Sequence, residues 1–185
     1  VTLKQYHQSM VDNTITSLLN EIPVSAGDAF FIPPGLVHAI GSGVVLAEIQ
    51  QTSDVTYRIY DWDRPDVNGQ MRELHIEQAE EALVFHDLSQ VACTPENRIS
   101  NQAQLLYASP YFNTSVIEIT EPITRTFPQT ESFVVLMCTK GQLSLTSEGL
   151  APMEISKGEC VLVPAEVAAI DLSAHDAEIL EVFVP

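Results

Sequence analysis

His38 closes the run Gly27-Asp28-Ala29-Phe30-Phe31-Ile32-Pro33-Pro34-Gly35-Leu36-Val37-His38, whose spacing is G-x5-P-x-G-x2-H. Gly27 and Asp28 would turn the chain into a strand with alternate residues entering a barrel. Pro33 and Gly35 would make a tight corner, Gly35 tolerating a backbone conformation costly for other residues. His38 would then start the returning strand and offer an imidazole nitrogen to a metal. A lone histidine on an apolar stretch is more often a satisfied core residue, but the complete corner ahead of it favours a ligand. One histidine does not hold a catalytic zinc, which takes several protein ligands and an open position. Glu48 and Gln50 are the nearest nominees for the rest. Arg58 offers a permanent charge that could stabilise an oxyanion. The plainer reading is a strand arginine paired on the surface with Asp54 or Asp61. Tyr57, Tyr60 and Trp62 read as core or rim residues, with sugar stacking the alternative.

The corner resembles the second sequence motif of the cupin superfamily, a small jelly roll. The following phrase, Leu46-Ala47-Glu48-Ile49-Gln50-Gln51-Thr52-Ser53-Asp54-Val55-Thr56-Tyr57-Arg58-Ile59-Tyr60-Asp61-Trp62-Asp63-Arg64, resembles type I, zinc-dependent mannose-6-phosphate isomerases in their short bacterial form. Gly69-Gln70, Arg72 and Leu74-His75-Ile76-Glu77-Gln78-Ala79 are similar to that family's continuation. The match runs over about residues 1–87, with similarity of fold alone expected beyond it. The resemblance implies that His38 is a zinc ligand and Arg58 the active-site arginine. The reaction it implies moves a proton between C1 and C2 of mannose-6-phosphate and fructose-6-phosphate, with the arginine stabilising an enediolate. It also places the other ligands, and the lysines for substrate phosphate, upstream of this chain. This chain would then be the C-terminal part of the enzyme and an incomplete catalyst. Two readings from other classes stand beside it: a non-catalytic sugar-binding bicupin, and a metal-dependent cupin oxygenase. The second is disfavoured because no H-x-H pair occurs in the sequence.

Gly158-Glu159-Cys160-Val161-Leu162-Val163-Pro164-Ala165-Glu166-Val167-Ala168-Ala169 overlays the corner without a gap. Glu166 replaces the second glycine and Ala169 the histidine. The expectation is a second barrel that keeps its framework and has lost its metal.

These motifs need elements to hold them. Thr2-Leu3-Lys4-Gln5 reads as a capping box opening a helix with Leu3, Tyr6 and Met10 on one face. Asn13 could cap a second helix presenting Ile15, Leu18 and Leu19. Strands are expected over Ala29–Ile32, Val44–Ile49 and Val55–Tyr60, a turn at Asp66–Gly69 and a helix over Ile76–Phe85. Further strands are expected over Ser115–Thr120, Phe133–Cys138, Gln142–Thr146, Glu159–Val163, Ala168–Leu172 and Ile179–Val184. The fold class is therefore mainly β, cupin-like jelly-roll barrels with a short N-terminal helical segment. Its expected divisions are a helical segment over 1–22, the metal-binding barrel's C-terminal part with its helix over 23–87, a connection over 88–104 and the degenerate barrel over 105–185.

Eight Lys plus Arg against 25 Asp plus Glu give a formal charge of −17. That surface repels nucleic acids and anionic membranes. The expected partners are a small phosphorylated sugar and the missing N-terminal segment. Cys93, Cys138 and Cys160 read as reduced, largely buried thiols of a cytoplasmic protein. His7, His75, His86 and His175 carry no motif that lifts them above packing or surface roles.

Overall fold

The computed structural model describes residues 1–53, 55–85, 91–95, 97–127 and 132–185, which fall into two units, Val1–Ala92 and Cys93–Pro185. In the first, helix α1 spans Leu3–Val11 and begins as its sequence dictates. The Thr2 side chain accepts from the Gln5 N–H at 3.3 Å, and the Gln5 side-chain oxygen accepts from the Thr2 N–H at 2.8 Å. This reciprocal cap satisfies donors that a helix start otherwise leaves open. Tyr6 is buried and Met10 half-buried, but Leu3, expected on the same face, is exposed. Asn13 does not cap a second helix. It takes φ +54 and reverses the chain behind α1, a conformation asparagine tolerates better than most residues. A single 3-10 turn over Ile15–Leu18 follows and buries Ile15. Helix α2, Ile76–Ala82, stops short of the expected Phe85 because the Val84 N–H turns to the Gly35 carbonyl at 3.0 Å.

The strands expected between these helices do not form ladders. Pairing among the described residues of this unit is confined to isolated bridges, Phe30 with Ala92 and Pro65 with Met71. Val44–Ile49 and Val55–Tyr60 have the β-branched composition of strands. A strand is stable when a neighbour takes up its backbone groups along its length, and no ladder among the described residues does so for either stretch. Ile40, Val45, Leu46 and Val55 remain exposed, Val45 at 97%. Asp54, named above as a partner for Arg58, and His86 lie outside the described residues.

The second unit is a jelly roll. Its strands are β1 Gln104–Ala108, β2 Asn113–Ile119, β3 Ile123–Thr126, β4 Val134–Lys140, β5 Gln142–Thr146, β6 Met153–Ser156, β7 Cys160–Val163, β8 Ala169–Ser173 and β9 Ala177–Phe183. They form two antiparallel sheets, ordered β1-β2-β9-β4-β7 and β3-β8-β5-β6. Period-two alternation aims Ile117, Ile119, Leu136 and Ile179 from one sheet at Leu143, Leu145, Ile170 and Leu172 from the other. The connected core of buried residues lies wholly in this unit. Cys138 is buried as expected, whereas Cys160 is exposed on β7.

Candidate active site

The corner forms as its residue types require. Asp28 donates its N–H to the Ser25 carbonyl at 3.1 Å and accepts the Ser25 N–H on its carboxylate at 2.8 Å, with Gly27 at φ +95 between them. Pro34 and Gly35, the latter at φ +83, occupy the centre of a type II turn closed by the Leu36 N–H on the Pro33 carbonyl at 3.2 Å. A Cβ on Gly35 would stand 2.5 Å from the Ala82 carbonyl oxygen, so the end of α2 packs directly on the corner. His38 emerges exposed, its Nδ1 3.0 Å from the Leu36 carbonyl. A hydrogen on Nδ1 in that contact leaves the Nε2 lone pair for a ligand.

The worn copy repeats this geometry. The Glu159 N–H meets the Ser156 carbonyl at 2.9 Å, the Glu159 carboxylate accepts the Ser156 N–H at 2.7 Å, and Gly158 has φ +91. The Val167 N–H closes a turn on the Pro164 carbonyl at 3.0 Å, at the place matching Leu36 and Pro33. Glu166 stands where Gly35 does without a positive φ, so this turn needs no glycine. The sequence signal shared by the copies, a serine two residues before the glycine and an acid after it, was not read from the sequence.

Arg58 is half-buried. Its guanidinium Nη1 lies 3.4 Å from the Glu73 carbonyl, and no described carboxylate pairs with it. Every other arginine of the chain meets a carboxylate: Arg64 and Arg72 hold Asp61, Arg98 holds Glu178, and Arg125 holds Glu181. The surface pair with Asp61, the alternative reading of Arg58, is therefore not made. Asp61 is 7% exposed and receives Arg64 Nη2 at 2.8 Å, Arg72 Nε at 2.7 Å and Arg72 Nη2. The Arg72 and Arg64 hydrogen bonds hold the Asp61 carboxyl far below the usual carboxylate range, and Asp61 in turn raises the Arg72 pKa.

Asp61 also anchors a strained turn. Trp62 and Asp63 both have positive φ, +52 and +50, and the Arg64 N–H closes the turn on the Asp61 carbonyl at 3.1 Å. This is a type I′ turn without the usual glycine or asparagine, conformations that persist when surrounding contacts impose them. Those contacts are the Asp61 ion pairs, the Arg64 guanidinium 5.4 Å from the Trp62 ring centre, and the Tyr60 ring edge-on to Trp62 at 5.3 Å. The expected Asp66–Gly69 turn follows, with the Gly69 N–H on the Asp66 carbonyl at 3.0 Å, and it folds Arg72 back beside Asp61.

His38, Ile59, Tyr60 and Trp62 share a small cavity of about 90 Å³ with Ile15 and Thr16. A larger one of about 430 Å³ lies against Met10, Tyr60, Asp61, Arg64 and Arg72. Arg58 lines neither, whereas Ile59 and Tyr60, which follow it, line both. Glu48 and Gln50 are exposed. No group of three or more His, Cys, Asp or Glu side chains among the described residues could hold a metal ion. His38 supplies one suitable nitrogen, and the described residues on their own do not fit a catalytic zinc.

Residues 102–184 match the family model described as mannose-6-phosphate isomerase, cupin domain. The chain is 35% identical over 147 residues to a mannose-6-phosphate isomerase of Streptococcus mutans, covering 80% of this chain and 46% of that one. It is 30% identical over 165 residues to a probable mannose-6-phosphate isomerase of Bacillus subtilis, covering 89% and 51%. A crystal structure of the Bacillus subtilis mannose 6-phosphate isomerase superposes with a TM-score of 0.54 at 24% identity, over 70% of this chain and 40% of that one, a likeness of fold. The chain spans about half the length of the curated relatives it matches, and it resembles their C-terminal part. The expectation that the resemblance stops near residue 87 is corrected, since the family model falls on the second unit.

Proposed function

We infer that this chain is the C-terminal half of a mannose-6-phosphate isomerase, the family whose cupin domain its second unit matches and whose members it resembles over most of its length. The reaction interconverts mannose-6-phosphate and fructose-6-phosphate. A base removes the proton from C2 to leave an enediolate across C1 and C2, a proton passes from O2 to O1, and the carbon-bound proton returns at C1. The observation that carries the reading is identity of 30–35% over 80–89% of the chain to isomerases of this kind. The geometry of Arg58 supports its part: a guanidinium that no described carboxylate neutralises keeps its charge for an oxyanion. His38 contributes one ligand to a divalent metal, zinc by our reading, and the remaining ligands come from the part of the enzyme this chain does not span.

The Val44–Ile49 and Val55–Tyr60 stretches, which form no ladder among the described residues, accord with such an arrangement, the upstream part supplying their partner strands. Three cysteines, an odd number with no CxxC spacing, suit a reducing compartment, and we place the enzyme in the cytoplasm. No helix among the described residues is long and apolar enough to cross a membrane.

A coupled isomerase assay on mannose-6-phosphate, run on this chain and on an enzyme of the relatives' length containing it, tests the proposal. Activity is expected in the longer protein, with Arg58→Ala lowering kcat about a hundredfold and His38→Ala lowering bound metal. A longer protein that binds metal and sugar phosphate without turnover would favour the sugar-binding bicupin.

A further inference from the structure

We propose that His75 is a positioning residue for Arg58, holding its backbone through Nδ1 as a sheet partner would. The proposal rests on the reading of Arg58 as the charge-stabilising group. The Arg58 N–H donates to His75 Nδ1 at 3.2 Å, and the His75 N–H donates to the Arg58 carbonyl at 2.7 Å. Both backbone polar groups of Arg58 are thereby engaged by one residue, as in a hydrogen-bonded antiparallel pair. In a sheet the second acceptor would be a carbonyl. The His75 carbonyl is committed elsewhere, accepting the Ala79 N–H at 2.8 Å as the first bond of α2. The imidazole stands in for it, which lets one residue start a helix and pair with an extended neighbour.

Two surrounding features give this pair its consequence. Arg58 lies in a stretch with no ladder among the described residues, so its register depends on the His75 contacts. The same return segment also carries the Glu73 carbonyl that receives the Arg58 guanidinium and the Arg72 side chain that fixes Asp61. Tyr57, beside Arg58, sets its ring 6.1 Å from the His75 ring. Nδ1 can accept only when the ring hydrogen is on Nε2, and an imidazolium offers no acceptor. The contact therefore requires neutral His75.

Side-chain isosteres separate this role from general packing. Asparagine places its Oδ1 where Nδ1 stands, whereas glutamine carries its oxygen to the position of Nε2. In this chain, exchange of the Arg58 amide hydrogen should quicken roughly tenfold or more in His75→Ala and His75→Gln and stay near wild type in His75→Asn. In the longer enzyme, kcat should fall roughly ten- to a hundredfold in His75→Ala and His75→Gln, with KM within about twofold and His75→Asn largely rescued. Thermal melts identify any variant that does not fold, and if His75→Ala is such a case the Asn–Gln pair decides. Equal losses in Asn and Gln, or unchanged Arg58 exchange in Ala and Gln, overturn the proposal. Amide exchange as expected beside an inactive wild-type enzyme would uphold the backbone clamp and remove the isomerase reading.

Discussion

Arg125 on β3 and Glu181 on β9 tie the two sheets of the jelly roll together, Nε and Nη2 lying 2.9 and 2.7 Å from the two carboxylate oxygens. Glu181 is 3% exposed and sits among inward-facing aliphatic residues of its strand. Removing one partner of such a pair leaves a charge without compensation, whereas replacing both with apolar groups of similar size is often neutral. Arg125→Ala should therefore lose about 3 kcal/mol in urea denaturation. The double replacement Arg125→Met with Glu181→Leu should return to within about 1 kcal/mol of wild type. An unchanged midpoint for Arg125→Ala would show that the pair is solvated in solution.

Asp61 predicts a pH dependence in the first unit. Its folded-state pKa is depressed, chiefly by the Arg72 and Arg64 hydrogen bonds. A depressed acid binds fewer protons folded than unfolded, so it contributes stability above its unfolded pKa and loses it as pH falls toward the folded one. The unfolded value is about 3.9, which puts the loss below roughly pH 4. Asp61→Asn should melt lower than wild type at pH 7, and the gap should narrow as pH is taken down from 5 to 3. A gap constant across that range would mean that the ion pairs do not set the carboxyl's affinity for protons.

How much of this was legible in the sequence varies with what each residue faces. β5 was expected over Gln142–Thr146 and occupies those residues, because its alternation is clean and a glycine precedes it. β3 was not foreseen, since one of its two inward positions is Arg125 and its short apolar pattern is broken. The corner could be read because its geometry is local: Gly35 needs its φ whatever lies beyond. The partner of Asp61 could not, as Arg72 reaches it only after the Pro65–Met71 bridge folds the chain back. His75 escaped notice for the same reason, its ring meeting Arg58 through a long loop that no spacing rule describes.

Gly35 and Gly43 make a controlled pair for the corner. Both have positive φ, +83 and +79, but a Cβ on Gly43 meets nothing within 4 Å, whereas on Gly35 it meets the Ala82 carbonyl oxygen at 2.5 Å and Val84 Cγ2 at 2.8 Å. Gly43→Ala carries the backbone cost alone, about 1 kcal/mol. Gly35→Ala adds a clash with the backbone at the end of α2, and should cost about 3 kcal/mol. Equal effects on the melting temperature would show that α2 does not bear on the corner.

The exposed residues around Val45 give the last test, which addresses what completes the first unit. Val44–Ile49 has strand composition and forms no ladder among the described residues, so its amides lack ladder acceptors. Amide hydrogens without such acceptors exchange from locally open states at little free-energy cost. In this chain the amides of Val44, Val45 and Leu46 should therefore exchange far faster than those of β4 or β9. In an enzyme of the relatives' length, partner strands from the upstream part should slow them by about a hundredfold or more, the protection of a paired strand. The exposed apolar side chains should leave water in the same step, and dye binding to apolar surface should fall with them. If the exchange rates of Val44–Leu46 are the same in both proteins, the stretch is a loop in its own right and the upstream part does not complete a sheet there.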